Sequence, residues 1–491
     1  MRFDPTLIPS PNRITAGCLF LTIIAALIAF VTADHSPLIR PFAALIASTM
    51  VLAMFGSHRP ALASFMRAGF HVGLFAFFLL IPLFDTEAIS ARISTGTIEA
   101  VGLILIISVF GFEIGYWWFT PRRRRDFEVT LDPPLEPRMQ RNLVNFLILG
   151  VLGWLVFVVD QVTAFQVPAT TLLLTMRAKI EGAAADANPV LGYYAGMVVV
   201  SSIYLAAGAA VVLITRSRRL SQVVLTLCWS VLVLTAAIGF MRGSRAVFFY
   251  AMSPLIVAIW TVVSERRGMR SFRWMWLVSA AFVIIVSWGA MSAMRGGDIR
   301  NYEGGWRAIN PEKHVIGAFN IYDSLADIVE GFPEKIPYQN GKSLVALVLG
   351  WVPRPIWPDK PYPFSFQLTR LKGESLTDRS ASLASGLPGE GYGNFGFFGV
   401  FLWAGLLGFT ARKGDDVIQR LHIAQPLKIQ IGATAGIWTA MIVRGGVPEM
   451  FYMGLFVILF PALLAVYLKK AQRRSLPAAE ASHAEGLRPR L

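Results

Sequence analysis

The sequence predicts an all-α integral membrane protein: a polytopic bundle of about 12 transmembrane helices with one large extracytoplasmic loop carrying short amphipathic helices. Three observations lead there. The 491 residues are 55% hydrophobic and only 15% charged, with a mean hydropathy of +0.56, whereas a soluble domain is about a quarter charged. Apolar windows long enough to cross a bilayer recur along the chain. Clusters of arginine and lysine fall on alternate connections between those windows, the signature of cytoplasmic loops.

The windows, in order, are residues 14–33, 39–56, 65–83, 97–118, 142–160, 190–214, 221–240, 246–263, 274–292, 388–409, 427–444 and 449–468. The first exceeds the apolar core of a cleavable signal and is read as a span. Arg122 to Arg125, then Arg216, Arg218 and Arg219, then Arg266, Arg267, Arg270 and Arg273, then Lys469, Lys470, Arg473 and Arg474 mark the cytoplasmic side and place both termini there. Tyr116, Trp117 and Trp118, just ahead of the first basic run, read as an interfacial aromatic belt. The chain is one polytopic domain, 1–491, with a disordered Ala-rich tail at 475–491. Cys18 and Cys228 both lie in apolar runs, so neither a disulfide framework nor a cysteine metal site is built from them. The formal net charge of +15 is topogenic and lipid-facing, and nucleic acid is not an expected partner.

The loop at 293–387 is too long for a tether. Val315, Phe319, Tyr322, Leu325, Ile328 and Val329 recur at helical spacing and predict an amphipathic helix over 315–329, lying on the membrane or covering a cavity. The apolar run at 344–351 is too short to cross and stops at Pro353-Arg354-Pro355-Ile356-Trp357-Pro358, so it reads as a re-entrant or interfacial helix ended by a rigid turn. The connection at 160–189 is open between a lid and a re-entrant helix.

Cations stand on the side where short loops usually lack them. Arg242, Arg245, Arg295 and Arg444 sit at outer helix ends, and Arg354 and Lys360 follow in the long loop. Charges at a membrane boundary face a bundle interior or a wet cavity, the competing use being to snorkel toward lipid headgroups. Arg242 and Arg245 are three apart, on one face of a continuing helix. The guanidinium fork bonds two phosphate oxygens at once, so an outward cluster suits a lipid-linked phosphate or pyrophosphate.

Carboxylates in the same region are candidate proton acceptors: Asp298, Glu303, Asp323, Asp359, Glu390 and Glu449. Glu303 and Asp323 read as solvated loop charge. Glu390 differs, because Gly389-Glu390-Gly391-Tyr392-Gly393-Asn394-Phe395-Gly396 is a glycine-dense opening to a span. Such a run lets backbone pack closely around a ligand, with a carboxylate held near apolar surface as a base. There is no Walker A, no dinucleotide glycine fingerprint and no HExxH, and the six histidines are scattered. Asp415-Asp416 reads as a solvated pair in a cytoplasmic turn, and His71 as a packed, hydrogen-bonded residue within a span. No metal site and no cofactor are expected.

Three islands carry a resemblance. Met241-Arg242-Gly243-Ser244-Arg245 follows a span. Gly350-Trp351-Val352-Pro353-Arg354-Pro355-Ile356-Trp357-Pro358-Asp359-Lys360-Pro361 lies mid-loop, and the glycine run at 389–396 opens the next span. In this order and on one side, they resemble the Wzy-type polymerases of bacterial O-antigen and exopolysaccharide repeat units, within the wider group that includes the O-antigen ligases. Motif identity extends over about 235–450. The arginine-plus-ten-plus-glycine pattern of some members is absent from Arg242, Arg295, Arg354 and Arg379. The resemblance implies inverting, metal-independent glycosyl transfer on the periplasmic face of the bacterial inner membrane, with undecaprenyl-pyrophosphate-linked oligosaccharide as both donor and acceptor. A chain-length regulator and a flippase are the implied protein partners. Carried onto these positions, Arg242, Arg245, Arg295 and Arg354 hold pyrophosphate, with Lys360 and Arg444 nearby. Glu390 is the leading base, with Asp359 or Glu449 as substitutes. Trp351, Trp357 and Tyr392 are candidates to stack on sugar rings, and Asn394 belongs to the same substrate-binding set.

Three other functions fit the same composition. An O-antigen ligase would use the same donor with a lipid A core acceptor. A transporter or flippase for lipid-linked sugars would bind pyrophosphate without bond making, and would show broken helices and mid-span polar residues. The mid-span polar residues are His71, Glu99, Glu113 and Asp160. A scaffold would use the outer loop for docking alone.

Overall fold

A computed structural model describes residues 64–80, 82, 86–118, 321–349, 352, 357, 359, 361, 364–371, 384–420 and 425–447. Every regular element among them is helical: α1 (Phe65–Phe78), α2 (Thr86–Arg92), α3 (Thr95–Trp118), α4 (Tyr322–Gly331), α5 (Lys342–Val348), α6 (Ser365–Leu371), α7 (Gly386–Arg420) and α8 (Gln425–Gly445). Two of them, α3 and α7, are long and apolar enough to cross a membrane. The windows at 14–33, 39–56, 142–160, 190–214, 221–240, 246–263, 274–292 and 449–468 lie outside the described residues, as do the basic runs and the 160–189 connection.

Glycine decides how the long helices meet. A methyl on Gly69 would overlap the Gly436 carbonyl, and one on Gly73 would come within 2.8 Å of the Ala440 Cα. These pairs step in the same direction, so α1 and α8 run parallel. The same holds for α3 and α7, where Gly111 lies on Phe401 and Gly115 on Gly405, while Gly408 lies on Phe112. Small residues four apart let backbones approach, which is how helices associate where apolar burial alone gives no preference. The two pairs join chiefly where α7 packs on α8 and on α1, with a smaller contact between α1 and α3, which are antiparallel. Phe70 and Phe112 stack with centroids 3.8 Å apart, within a core that includes Met66, Leu74, Ile104, Leu105, Trp403 and Leu407.

The expectation of one continuous span at 388–409 is corrected. The helix begins at Gly386 and ends at Arg420, but Phe395 (φ −144°, ψ 27°) and Gly396 (φ 62°, ψ −148°) break it. Gly391 and Gly399 would be about 12 Å apart along a straight helix. Instead a methyl on Gly391 would come within 2.8 Å of the Gly399 carbonyl oxygen, so the segment 386–394 folds back on 397–420. Gly396 adopts a conformation that only glycine holds without strain.

The long loop is ordered where it is described. The amphipathic helix begins at Tyr322, buries Tyr322, Leu325 and Ile328, and is tied down at both ends. The Ile321 amide donates to the Phe77 carbonyl at 3.0 Å, Arg92 pairs with Asp323 at 3.0 Å, and the Thr97 hydroxyl donates to Glu330 at 3.0 Å. Asp323, expected as solvated loop charge, is therefore a helix residue with a partner. The short apolar run forms α5, which starts after Gly341 in the left-handed region (φ 83°).

Candidate functional site around Glu390

Glu390 lies in the folded-back segment of α7 and is 1% exposed. The reason is local. Gly389 faces Leu325 and Ile328 of α4, Gly391 faces the Gly399 backbone, and Gly393 faces Phe364. A side chain at any of these would push the segment out, so the glycine run packs around the protein's own chain. Beyond the end of α8, Gly446 turns with φ 94° and presents the Val447 amide, which donates to Glu390 Oε2 at 2.7 Å. A methyl at Gly446 would stand 2.8 Å from that oxygen. Ser343 of α5 and Trp403 lie near the carboxyl.

The break in α7 leaves carbonyls without helical partners, and the loop ahead of α5 satisfies them. The Gln339 amide donates to the Gly393 carbonyl at 2.9 Å, and the Asn340 amide to the Asn394 carbonyl at 3.2 Å. Asn394, fully buried, ties the three pieces together. Its Oδ1 accepts from the Gly341 amide at 3.0 Å, while its Nδ2 donates to Ser343 Oγ at 2.9 Å and to the Glu390 carbonyl at 2.7 Å. Aromatic rings wall the break. Tyr392 meets Tyr338 (centroids 6.1 Å) and Phe397 (5.4 Å) edge-on, and Phe395 meets Trp403 at 6.0 Å.

Of the residues singled out from sequence, the structure brings together Glu390, Tyr392 and Asn394, with Arg444 on α8 at the same end of the bundle. Arg444 sits in the last turn of α8, three residues before Val447, half-buried, with its guanidinium 5.7 Å from the Phe77 ring centroid. Trp357 is half-buried and Asp359 exposed. Arg242, Arg245, Arg295, Trp351, Arg354, Lys360 and Glu449 lie outside the described residues. Tyr392 and Asn394 are packed, Tyr392 against aromatic neighbours and Asn394 through bonds to its own chain. Ser343 was not singled out by the sequence, although its place at the start of a short helix after Asn340-Gly341 marked it as a turn residue.

A second polar cluster occupies the opposite end of the bundle. Arg67 grips Glu113 with both arms at 2.8 Å, His71 Nε2 bonds the same carboxylate at 2.7 Å, and the Trp117 indole donates to it at 2.7 Å. His71 is thus the packed, hydrogen-bonded residue expected. Asp415 is not the solvated turn residue expected. It lies within α7, 2% exposed, accepting from the Tyr116 hydroxyl at 2.9 Å and the Met66 amide at 3.1 Å. Tyr116, read as part of an interfacial aromatic belt, is buried and bonded to Asp415, whereas Trp117 and Trp118 are exposed. The Ser64 side chain leaves the start of α1 uncapped, and Asp415 supplies the cap from another helix.

No family model matches this chain, and neither a curated protein nor a solved structure does.

Proposed function

We propose that this chain is a polysaccharide polymerase of the inner membrane, transferring a growing glycan from undecaprenyl pyrophosphate onto a hydroxyl of a lipid-linked oligosaccharide repeat unit. The observation that carries this reading is the Glu390 carboxyl, held by the Val447 amide in a broken helix, with Arg444 at the same end of the bundle. In this proposal Glu390 takes the proton of the acceptor hydroxyl as its oxygen bonds the anomeric carbon. The bond from that carbon to the pyrophosphate breaks on the opposite face, inverting the centre. The leaving pyrophosphate meets Arg444 together with Arg242, Arg245, Arg295 and Arg354, fixed cations that balance the developing charge. Access runs past α5, which turns Val345 and Val348 outward. Both substrates reach the site from the bilayer, where their polyprenyl chains reside.

The test is reconstitution with a defined lipid-linked repeat unit in the presence of chelator. A ladder of products supports the reading, and it should vanish in Glu390→Gln. Absence of a ladder with a folded, membrane-inserted wild-type preparation overturns it. Adding lipid A core distinguishes the ligase, which would move glycan only onto that acceptor.

One observation favours a second reading, transport of the lipid-linked sugar. A helix broken beside a buried carboxyl, together with charged groups inside the bundle at Arg67, Glu113 and Asp415, is how transporters build sites for passage. Appearance of repeat unit on the far leaflet of the vesicles, with no ladder, would select it.

A further inference from the structure

We propose that the Gly446–Val447 turn beyond α8 is the positioning element for Glu390: its main-chain N–H fixes Oε2, so that Oε1 is the atom that takes the proton of the acceptor hydroxyl. The inference rests on the reading of Glu390 as the base. The Val447 amide donates to Oε2 at 2.7 Å. A backbone N–H can only donate, so Oε2 is committed as its acceptor. The space beside that oxygen is closed as well. A methyl on Gly446 would stand 2.8 Å from Oε2 and 3.4 Å from Ser385 Oγ, and Ser385 is itself 1% exposed. No sugar hydroxyl fits between the turn and Oε2, which leaves Oε1 to meet it. The acceptor oxygen keeps the electron pair of its O–H bond and places it on the anomeric carbon, and pyrophosphate leaves with the pair of the bond that breaks. The turn is locked in its own right. Gly446 has φ 94°, a conformation glycine adopts freely, and its amide donates to the Ile442 carbonyl at 3.0 Å. The main chain of Glu390 is held from the other side, where Asn394 Nδ2 donates to its carbonyl at 2.7 Å. The base is thus fixed at two points, one on its own broken helix and one beyond α8. Arg444 stands two residues before Gly446, so the same turn spaces the base from a cation for the leaving group.

The experiment uses the full chain in lipid nanodiscs, with labelling of individual carboxyls by dicyclohexylcarbodiimide read by peptide mass spectrometry. Product ladders are measured in parallel. Replacing Val447 by its α-hydroxy analogue through nonsense suppression turns that one amide into an ester and removes only the N–H. Glu390 should then label about threefold faster or more, the size expected for one hydrogen bond. Gly446→Ala, which drives a methyl against Oε2, should raise the rate as well. Val447→Ala keeps the amide and should label at the wild-type rate, and Glu113, gripped by Arg67, should label equally in every variant. In the ladder assay the ester and Gly446→Ala should each lower kcat about tenfold with the acceptor KM unchanged. Unchanged Glu390 labelling in the ester protein overturns the inference, as does an equal rise in Val447→Ala. A rise shared by Glu113 also overturns it, since the amide then serves the fold as a whole. Glu390→Gln, whose amide oxygen still accepts from Val447, separates the two claims. If it keeps a full ladder while the labelling pattern holds, the base assignment fails and the positioning stands; if it is inactive while the ester protein labels like wild type, only the positioning fails.

Discussion

At the scale of single residues, the protein pairs most of the described polar groups that it buries, though His71 Nδ1 and Trp403 Nε1 find no partner among the described residues. Glu113 shows the logic most clearly: its two oxygens receive both arms of Arg67, the His71 ring and the Trp117 indole. Its charge is therefore balanced and its lone pairs filled. Removing one partner of such a pair leaves a charge with no cation in an apolar setting. Arg67→Ala should destabilise the protein by about 3 kcal/mol, and Arg67→Ala with Glu113→Gln should recover part of that loss. Thermal unfolding in detergent, followed for the two variants and the wild type, measures both effects. The Arg67 guanidinium also lies over the Trp117 ring at 5.1 Å, so the loss of packing is included in the figure.

At the scale of elements, the long helices are fitted backbone to backbone. Gly69→Ala and Gly115→Ala each drive a methyl into a facing carbonyl, at the α1–α8 and the α3–α7 contacts respectively. Overpacking of this kind costs about 1–3 kcal/mol per site, and the two losses should add because the contacts are separate. Gly96 is the control, since a methyl there meets nothing within 4 Å, and Gly96→Ala should leave the unfolding temperature unchanged or raise it. The break in α7 makes a different demand. Gly396 has φ 62° and ψ −148°, a conformation costing a side-chain-bearing residue about 1–3 kcal/mol. Gly396→Ala should therefore lower the unfolding temperature and also weaken the ladder, because the break sets the place of Glu390. An active, equally stable Gly396→Ala protein would mean that the fold-back contributes nothing to the site.

At the scale of the whole molecule, the two polar clusters sit at opposite ends of the same four helices. Glu390, α4 and α5 gather where α1 and α8 end, and the Arg67–Glu113 and Tyr116–Asp415 bonds gather where α1 begins. If the bundle crosses a membrane as proposed, these ends face different compartments. With Cys18 and Cys228 replaced, a cysteine at Glu334 should react with an impermeant maleimide only from the periplasmic side. One at Lys413 should react only from the cytoplasmic side; both positions are exposed. Labelling of both from one side would remove the bundle's transmembrane orientation and, with it, the periplasmic placement of the site.

Hydropathy and period alone announced α3 and α8 nearly to their ends, because an apolar run of that length satisfies its backbone within itself only as a helix, whereas α1 stops at Phe78, short of the expected 83. The amphipathic helix expected over 315–329 forms from Tyr322 to Gly331 within the described residues, since Tyr322, Leu325 and Ile328 recur every three positions on its buried face. The glycine run at 389–396 marked a place of close approach but not what approached. A glycine records only that a side chain is forbidden, and whether a ligand or the chain's own backbone fills the space is decided by contacts across hundreds of residues. The fold-back at Gly396, the seat of Ser343 against Asn394, and the burial of Tyr116 and Asp415 were settled in the same way. Each depends on a partner supplied by a distant element, so tertiary structure alone placed them.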